Sequence, residues 1–416
     1  MSMLSFDDAH VALMAHAKPV PRPYDTVPTI DGHLRFLAQA IVSSINVPSA
    51  DNSQMDGYAI RIADLHQLAN AGVVVSQRVA AGAVPLPLAP NTAARIFTGA
   101  MLPPGADAVV MQEQVIATEL GGTVRIQLAA DVQPQVGAWI RRAGEDIQSG
   151  RQVLAIGTRL SAQALGLAAS VGAATLMVYP KVRVACFFTG DELAMPGEPL
   201  KPGSIYNSNR FTLVSMLKEL GCEVTDFGIV PDTLEATRKT LRAAALEHDL
   251  IVTSGGMSVG EEDHVKPAVQ AEGGINMWQI AIKPGKPLAY GFINRTNHAT
   301  EPSTAHFIGL PGNPVSSFVT FLLFVYPFVR KLQGAVSWQW KAQAKHANFD
   351  WPKADRRREF LRVRLNDDGR LDLFENQGSG VLTSTVWATG LIDNPANKTI
   401  AMGDSVRYLP FSSLQE

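Results

Sequence analysis

The chain has 416 residues, a formal net charge of −2, 46% hydrophobic and 18% charged residues. This balance excludes a disordered polymer, and the near-zero charge excludes a global basic field for nucleic acid or an anionic membrane, so any anion site is local. The length exceeds one core and predicts about two to four domains.

Ser5 to Ala17 reads as a helix, with Ser5 as its cap, Asp7 and Asp8 in the first turn and Lys18-Pro19 as its stop. This acidic start lacks the basic-then-apolar order of an export signal, so a cytoplasmic location is expected. Pro19, Pro21, Pro23 and Pro28 predict a stiff extended link, and His33 to Val42 a second helix. From Pro48 to about Trp139, short β-branched stretches such as Val73-Val74-Val75 and Val109-Val110-Met111 alternate with Gly and Pro. They predict a small all-β unit, with a barrel as one form open to it. Ser161 to Ala169 is a capped helix ending near Gly172. With little core of its own, this segment is expected to pair with the N-terminal helices as an elongated arm, the β unit being inserted between them.

From Val182 the pattern alternates: strand Val182 to Phe188, helix Ser208 to Leu220, strand Glu223 to Val230, helix Leu234 to Glu247, strand Leu250 to Thr253, and strand Phe307 to Leu310 before a long apolar helix. Such alternation predicts a parallel sheet with helices on both faces. The longest apolar run, Phe318 to Val329, is interrupted by Pro327 and too short to span a bilayer. Cys186 and Cys222 lack metal-ligand spacing and are expected as reduced core thiols. The tail from Ala342 is β-rich, with a hairpin of Glu359 to Leu365 and Leu371 to Phe374, and a late strand Val406 to Leu409.

In an open α/β sheet the ligand crevice lies beyond the carboxyl ends of the strands. The loops carrying Glu192, Asp232, Ser254 to Asp263 and Pro311 to Pro314 each follow a strand, so all four are expected at one sheet edge. At Ser254-Gly255-Gly256 the missing side chains let backbone N–H groups face a ligand, and the helix opened by Asp263 and His264 favours an anion. Glu261, Glu262 and Asp263 would repel a bare phosphate, which calls for a divalent cation between them. The plain alternative is a Gly-rich connector between strand and helix.

A series of motifs carries a resemblance: Asp51-Asn52-Ser53-Gln54-Met55-Asp56-Gly57-Tyr58-Ala59, Phe97-Thr98-Gly99-Ala100, Pro104-Gly105-Ala106-Asp107-Ala108-Val109-Val110, Gly144-Glu145-Asp146-Ile147, Thr189-Gly190-Asp191-Glu192-Leu193, Ser254-Gly255-Gly256-Met257-Ser258-Val259-Gly260, Lys283-Pro284-Gly285-Lys286-Pro287 and Gly309-Leu310-Pro311-Gly312-Asn313-Pro314-Val315-Ser316. Together they resemble the molybdopterin molybdenumtransferases, the MoeA-like group that includes the gephyrin E domain. Gln54 and Met257 depart from the family's usual residues, and Gly378 stands where a second Ser is common.

The resemblance implies an α/β plus β multidomain chain. Residues 1–45 and 140–177 would form an elongated arm for dimerisation, 46–139 an inserted β domain, 178–332 a molybdopterin-binding parallel-sheet α/β domain, and 333–416 a C-terminal β-barrel-like domain. It implies a homodimer with each cleft closed by the partner. The implied reaction inserts molybdenum from molybdate into adenylylated molybdopterin with release of AMP, requires Mg2+ or another divalent cation, and draws on a molybdopterin-adenylylating protein as partner. Neither nucleic acid nor membrane is expected as a partner.

Asp232, Asp263 and Glu192 are the candidate metal ligands, with helix capping and turn formation as their plain alternatives. Lys283 and Lys286 suit a small dianion such as molybdate, with Ser258 and Ser316 adding hydroxyl hydrogen bonds and Arg357 and Ser379 contributing from the tail. A solvated lysine turn is the plain alternative there. Ser254, Gly255 and Gly256 are the candidate cradle, while Pro311 and Pro314 hold the Gly312-Asn313 loop rigid near the pterin. Asp56, Thr98 and Asp146 match family active-site positions outside the α/β domain, although Asp56-Gly57 also reads as a β-turn. A sister activity, adenylylation of molybdopterin, and a non-catalytic dimeric scaffold of the same fold are the alternatives.

Overall fold

The computed structural model describes residues 3–256, 264–295 and 303–414. Its centre is a six-stranded sheet in the order Glu223–Val230, Arg183–Thr189, Leu250–Ser254, Thr304–Leu310, Pro287–Asn294, Gly273–Gln279. The first four strands run parallel, as expected. The far edge differs: Pro287–Asn294 and Gly273–Gln279 are antiparallel and were not expected as strands. Pro287–Asn294 has to run antiparallel to the next strand, because a short connection joins consecutive strands only as a hairpin.

Why these segments pair is legible in their alternation. Val184, Cys186 and Phe188 enter one apolar layer, and Ala185 and Phe187 of the same strand enter the other. Leu250, Val252, Ile308 and Leu310 repeat the first set, and Ile251, Ala305 and Phe307 the second. Both faces are covered, and burying one such large side chain stabilises the domain by about 1.5–3 kcal/mol. The covering helices are Ser208–Glu219 on one face, and Leu234–Glu247 with Val265–Glu272 on the other.

The apolar helix Pro314–Leu332 is 19 residues long, passes by composition for a bilayer span and is 89% buried in the protein. It is the core helix of this domain. Around Phe321–Val325 it widens to a π turn, with the Tyr326 N–H bonded to the Phe321 carbonyl. Pro327 offers no N–H and its ring crowds the carbonyl four residues back, a strain the wider turn relieves.

The N-terminal helix, Phe6–His16, is capped by the Ser5 hydroxyl as expected. Its placement corrects the arm reading. Ala9, Leu13 and Met14 join the core of the α/β domain, and Phe6 packs on Phe324 and Phe360. The arm is built instead from Asp25–Pro28 paired with Thr175–Val178, and Ile41–Val42 with Gln152–Leu154, over Leu37, Leu160, Ala168 and Leu176. His33 to Val42 is not a helix. Leu34 sits at φ 64°, and the backbone N–H groups of Leu34 and Leu37 go to Leu160 and Thr158. Long-range backbone partners have outcompeted the local i→i−4 ladder.

Between the arm segments a six-stranded sheet runs in the order Ala108–Met111, Gly57–Ile60, Thr92–Ile96, Val73–Val79, Thr123–Leu128, Val115–Leu120. The departures from an all-β reading are the short α-helix Leu65–Asn70 and the 3-10 turns Ile62–Asp64 and Gln112–Gln114. In the C-terminal domain the expected hairpin forms, with Arg358–Leu365 antiparallel to Leu371–Leu373, and Gly390–Asn394 is an additional strand. A bridge from Ala347 to Leu371 joins the two ends of this sheet, so it closes in barrel fashion.

His306 lies in the central sheet, with Tyr290 Oη 3.1 Å from its Nδ1 and Phe328 against its ring. Burial pushes its pKa down from 6.5 to about 4, with His16 and Arg295 adding to the effect. The unfolded chain therefore takes up this proton first, so stability is full above 6.5 and falls as pH drops towards 4. Between pH 7 and 5 the loss from this one group is expected to be about 2 kcal/mol. Urea unfolding at the two pH values should show the acid loss shrinking by that amount in His306→Phe.

Candidate functional site

The register of the parallel strands levels their carboxyl ends. Val230 stands opposite Thr189, Phe188 opposite Ser254, and Ser254 opposite Leu310. Three strand spacings make this row about 14 Å wide. The loops beyond it wall a cleft of about 710 Å³. Among its lining residues are Glu192, Asp232, Ser254, Gly255, Gly256, Lys283, Lys286, Pro311, Gly312, Asn313, Pro314, Ser316, Arg357 and Ser379, all anticipated from sequence. Arg357 and Ser379 reach it from the C-terminal domain.

The glycine turn leaves no room for a side chain. Gly255 has φ 100°, and a Cβ there would stand 2.5 Å from the Thr189 carbonyl oxygen. At Gly256, φ 61°, it would meet Val265 at 2.5 Å and Thr189 Oγ1 at 2.8 Å. The turn is held from below: the Ser254 hydroxyl donates to the Pro311 carbonyl at 2.9 Å, and the Asn209 amide donates to Ser254 Oγ and to the Gly312 carbonyl at 2.7 Å each. One asparagine thus ties the two loops together. The Val315 N–H, in the first turn of the core helix, donates to the Ser379 carbonyl at 3.0 Å and fastens the C-terminal loop to the cleft.

On the cationic side, Lys283 Nζ lies 3.1 Å from Glu359 and 3.2 Å from Asp355. Arg357 is bidentate on Asp355, and this guanidinium holds the Asp355 carboxyl far below the usual carboxylate range. Lys286 is exposed and pairs with no carboxylate among the described residues. The lysine turn is therefore not simply solvated.

Glu192 and Asp232 face the same cleft from two loops. Among the described residues no three metal-ligating side chains converge. Two carboxylates do fit a hard cation that keeps several waters and completes its shell with phosphate oxygens. Asp263 and Ser258, together with Glu261 and Glu262, lie outside the described residues.

Asp56 and Thr98 come together: Asp56 Oδ1 accepts from both the N–H and the hydroxyl of Thr98 at 2.8 Å. The Thr98 backbone N–H is the main cause of the lowered Asp56 pKa. They sit at the same end of two paired strands, where Gly57 faces Ile96. Neither these two nor the exposed Asp146 lines the cleft of their own chain.

Asn207, Thr189 and Asn209 are among the cleft residues that the sequence reading did not single out. Asn207, 2% exposed, caps the helix Ser208–Glu219 with its oxygen, and its Nδ2 has no partner among the described residues. Thr189 Oγ1 is likewise buried without one, and Asn209 is the clamp described above. Orphaned donors in a cleft wall are places where a ligand's polar atoms fit. The only sequence signal was a strand followed by glycine at Thr189-Gly190, and a cap asparagine before a helix at Asn207.

Three family profiles match the chain in succession. They are described as the MoeA N-terminal region (domain I and II) over residues 4–172, a probable molybdopterin binding domain over 185–331, and the MoeA C-terminal region (domain IV) over 346–411. The chain is similar to a molybdopterin molybdenumtransferase of Haemophilus influenzae, 38% identical over 99% of this chain and 100% of the relative. A second, molybdopterin molybdenumtransferase 2 of Mycobacterium tuberculosis, is 37% identical over 78% of this chain and 79% of its own. Among solved structures, the molybdopterin biosynthesis moea protein of Pyrococcus horikosii is 30% identical, covers 99% of both chains and superposes with a TM-score of 0.78.

Since any side chain at position 255 meets backbone, Gly255→Ala is expected to cost about 1–3 kcal/mol in urea unfolding. It should also weaken binding of a phosphorylated ligand in calorimetry while leaving the far-UV dichroism unchanged.

Proposed function

We infer that the chain is an enzyme of molybdenum-cofactor synthesis, because it belongs to the MoeA family of molybdopterin molybdenumtransferases. It inserts molybdenum into molybdopterin. The observation that carries the assignment to this cleft is the meeting, at one sheet edge, of the glycine cradle, two carboxylates and a cationic wall.

In the reading we propose, the substrates are adenylylated molybdopterin and molybdate, and AMP leaves. The glycine turn, whose Gly255 N–H already donates to the Leu310 carbonyl at 3.4 Å, lets the ligand approach the backbone closely, and the orphaned donors of Thr189 and Asn207 hold the phosphate and pterin polar atoms. Lys283, Arg357 and Lys286, with the Ser316 hydroxyl, hold the molybdate dianion beside the dithiolene, so both reactants meet already oriented. Pro311 and Pro314 keep the Gly312-Asn313 loop from yielding when the pterin presses on it. Glu192 and Asp232, with Asp263, are the residues to hold magnesium, whose charge would offset that of the phosphoanhydride. The reaction is cytoplasmic in this reading, in keeping with two free thiols.

Asp56, Thr98 and Asp146 enter the reading through a second copy of the chain. Their exposure outside their own cleft supports a homodimer in which each copy's β domain faces the other's cleft. A molybdopterin-adenylylating protein is the proposed supplier of substrate.

Purified chain given adenylylated molybdopterin, magnesium and molybdate is expected to release AMP only when molybdate is present. Consumption of ATP with pterin alone would point to the sister adenylylation instead. Asp232→Asn should lower the rate by about 100-fold or more with little change in melting temperature. Light scattering should give twice the 44.7 kDa chain mass. If the sites are shared, mixing equal amounts of Asp56→Ala and Asp232→Ala proteins and allowing exchange restores about a quarter of wild-type activity, since half the dimers regain one intact site of two.

A further inference from the structure

We propose that Glu359 and Asp355 are positioning residues that hold Lys283 and Arg357 at the anion-facing wall of the cleft, a role that rests on the molybdate reading above. Both cations line the cleft, and neither carboxylate does. The carboxylates stand behind the cations and grip them there.

Glu359 is 1% exposed, and each of its oxygens is engaged. Oε1 accepts from Lys283 Nζ at 3.1 Å, and Oε2 accepts from the Trp351 indole N–H at 2.9 Å. Asp355 Oδ2 lies 3.2 Å from the same Nζ and accepts from Arg357 Nη2 at 3.0 Å, while Oδ1 accepts from Arg357 Nε at 3.0 Å. A bidentate grip fixes the plane of a guanidinium as well as its place. The main chain adds a second tie, since Ile282-Lys283 pairs in parallel with Arg358-Glu359 and sets Lys283 opposite Glu359. Lys283 therefore belongs to the C-terminal domain's sheet as much as to its own domain.

The physical consequence concerns how the wall recognises an anion. A lone lysine on a four-carbon stem samples many rotamers and loses that freedom on binding. Lys283, held from behind by two carboxylates, has already lost it and keeps N–H directions for the cleft. Two cations against two carboxylates leave this cluster without net charge, so bulk attraction does not explain it. Aimed donors do, and a small tetrahedral dianion is the ligand whose oxygens reach Lys283 and Arg357 together.

The test uses the full chain and follows AMP release with molybdate and adenylylated molybdopterin varied separately. In Glu359→Gln and in Asp355→Asn, KM for molybdate is expected to rise about 10- to 100-fold, the effect of one lost hydrogen bond to a charged group, while KM for the pterin stays within twofold of wild type. Glu359→Asp, which keeps the charge and shortens the reach, should fall between. Asp355 is the more exposed of the pair, so its variant decides between the outcomes should the buried Glu359 substitution fail to fold. An unchanged molybdate KM in the folded variants, or an equal rise for both substrates, would overturn the inference. Wild-type chain that releases no AMP in response to molybdate would overturn the molybdate reading itself, and this inference with it; that outcome is seen before any variant is made.

Discussion

A strand covered on both faces can offer polar groups only at its ends. Arg183–Thr189 and Leu250–Ser254 are such strands, with alternate side chains entering opposite apolar layers. Their register places Phe188, Ser254 and Leu310 in one row, so the loops beyond have no course except to wall a common cleft. Everything chemical about this protein sits where burial stops. The glycines follow from the same constraint, since Thr189 and Val265 press so closely on the turn that a methyl group has no space at positions 255 and 256.

The cleft is completed across a domain boundary. Its floor and glycine turn come from the α/β domain, while Arg357, Gln377 and Ser379 come from the C-terminal domain. Among the contacts that join them are the pairing of Lys283 with Glu359 along the sheet and the Val315 to Ser379 hydrogen bond at the start of the core helix. The N-terminal helix braces the same junction, with Phe6 between Phe324 and Phe360 and Asp7 on Arg358. An anion site shared by two domains needs such bracing, because a shift of an ångström would separate its donors.

Much of this was legible in the chain. Continuous apolar runs ending in Gly or Pro marked the parallel strands, and the strand-then-loop order alone put Glu192, Asp232, Ser254 and Pro311 at one edge. Less legible was whatever depended on a distant partner. His33 to Val42 carries a helical pattern, yet Leu160 and Thr158 claim its backbone N–H groups. Phe6–His16 is a sound helix by its own caps, but those caps say nothing about which domain receives its apolar face. The edge strand Gly273–Gln279 and its neighbour Pro287–Asn294 lie beside glycines and prolines that locally read as turns.

By itself the sequence determined the alternation of strands and helices, the glycine turn, the capped helices and the family, because each is written in neighbouring residues or in a fixed order of motifs. The tertiary structure alone decided that Glu359 and Asp355 stand behind Lys283 and Arg357, that Asn209 ties two loops, and that Asp56, Thr98 and Asp146 lie away from their own chain's cleft. Apart from the Asp355–Arg357 pair, two positions apart, the contacts named join residues 45 to 103 positions apart, and no local propensity carries those. They exist only once the hydrophobic layers have closed and brought the ends of separate elements together.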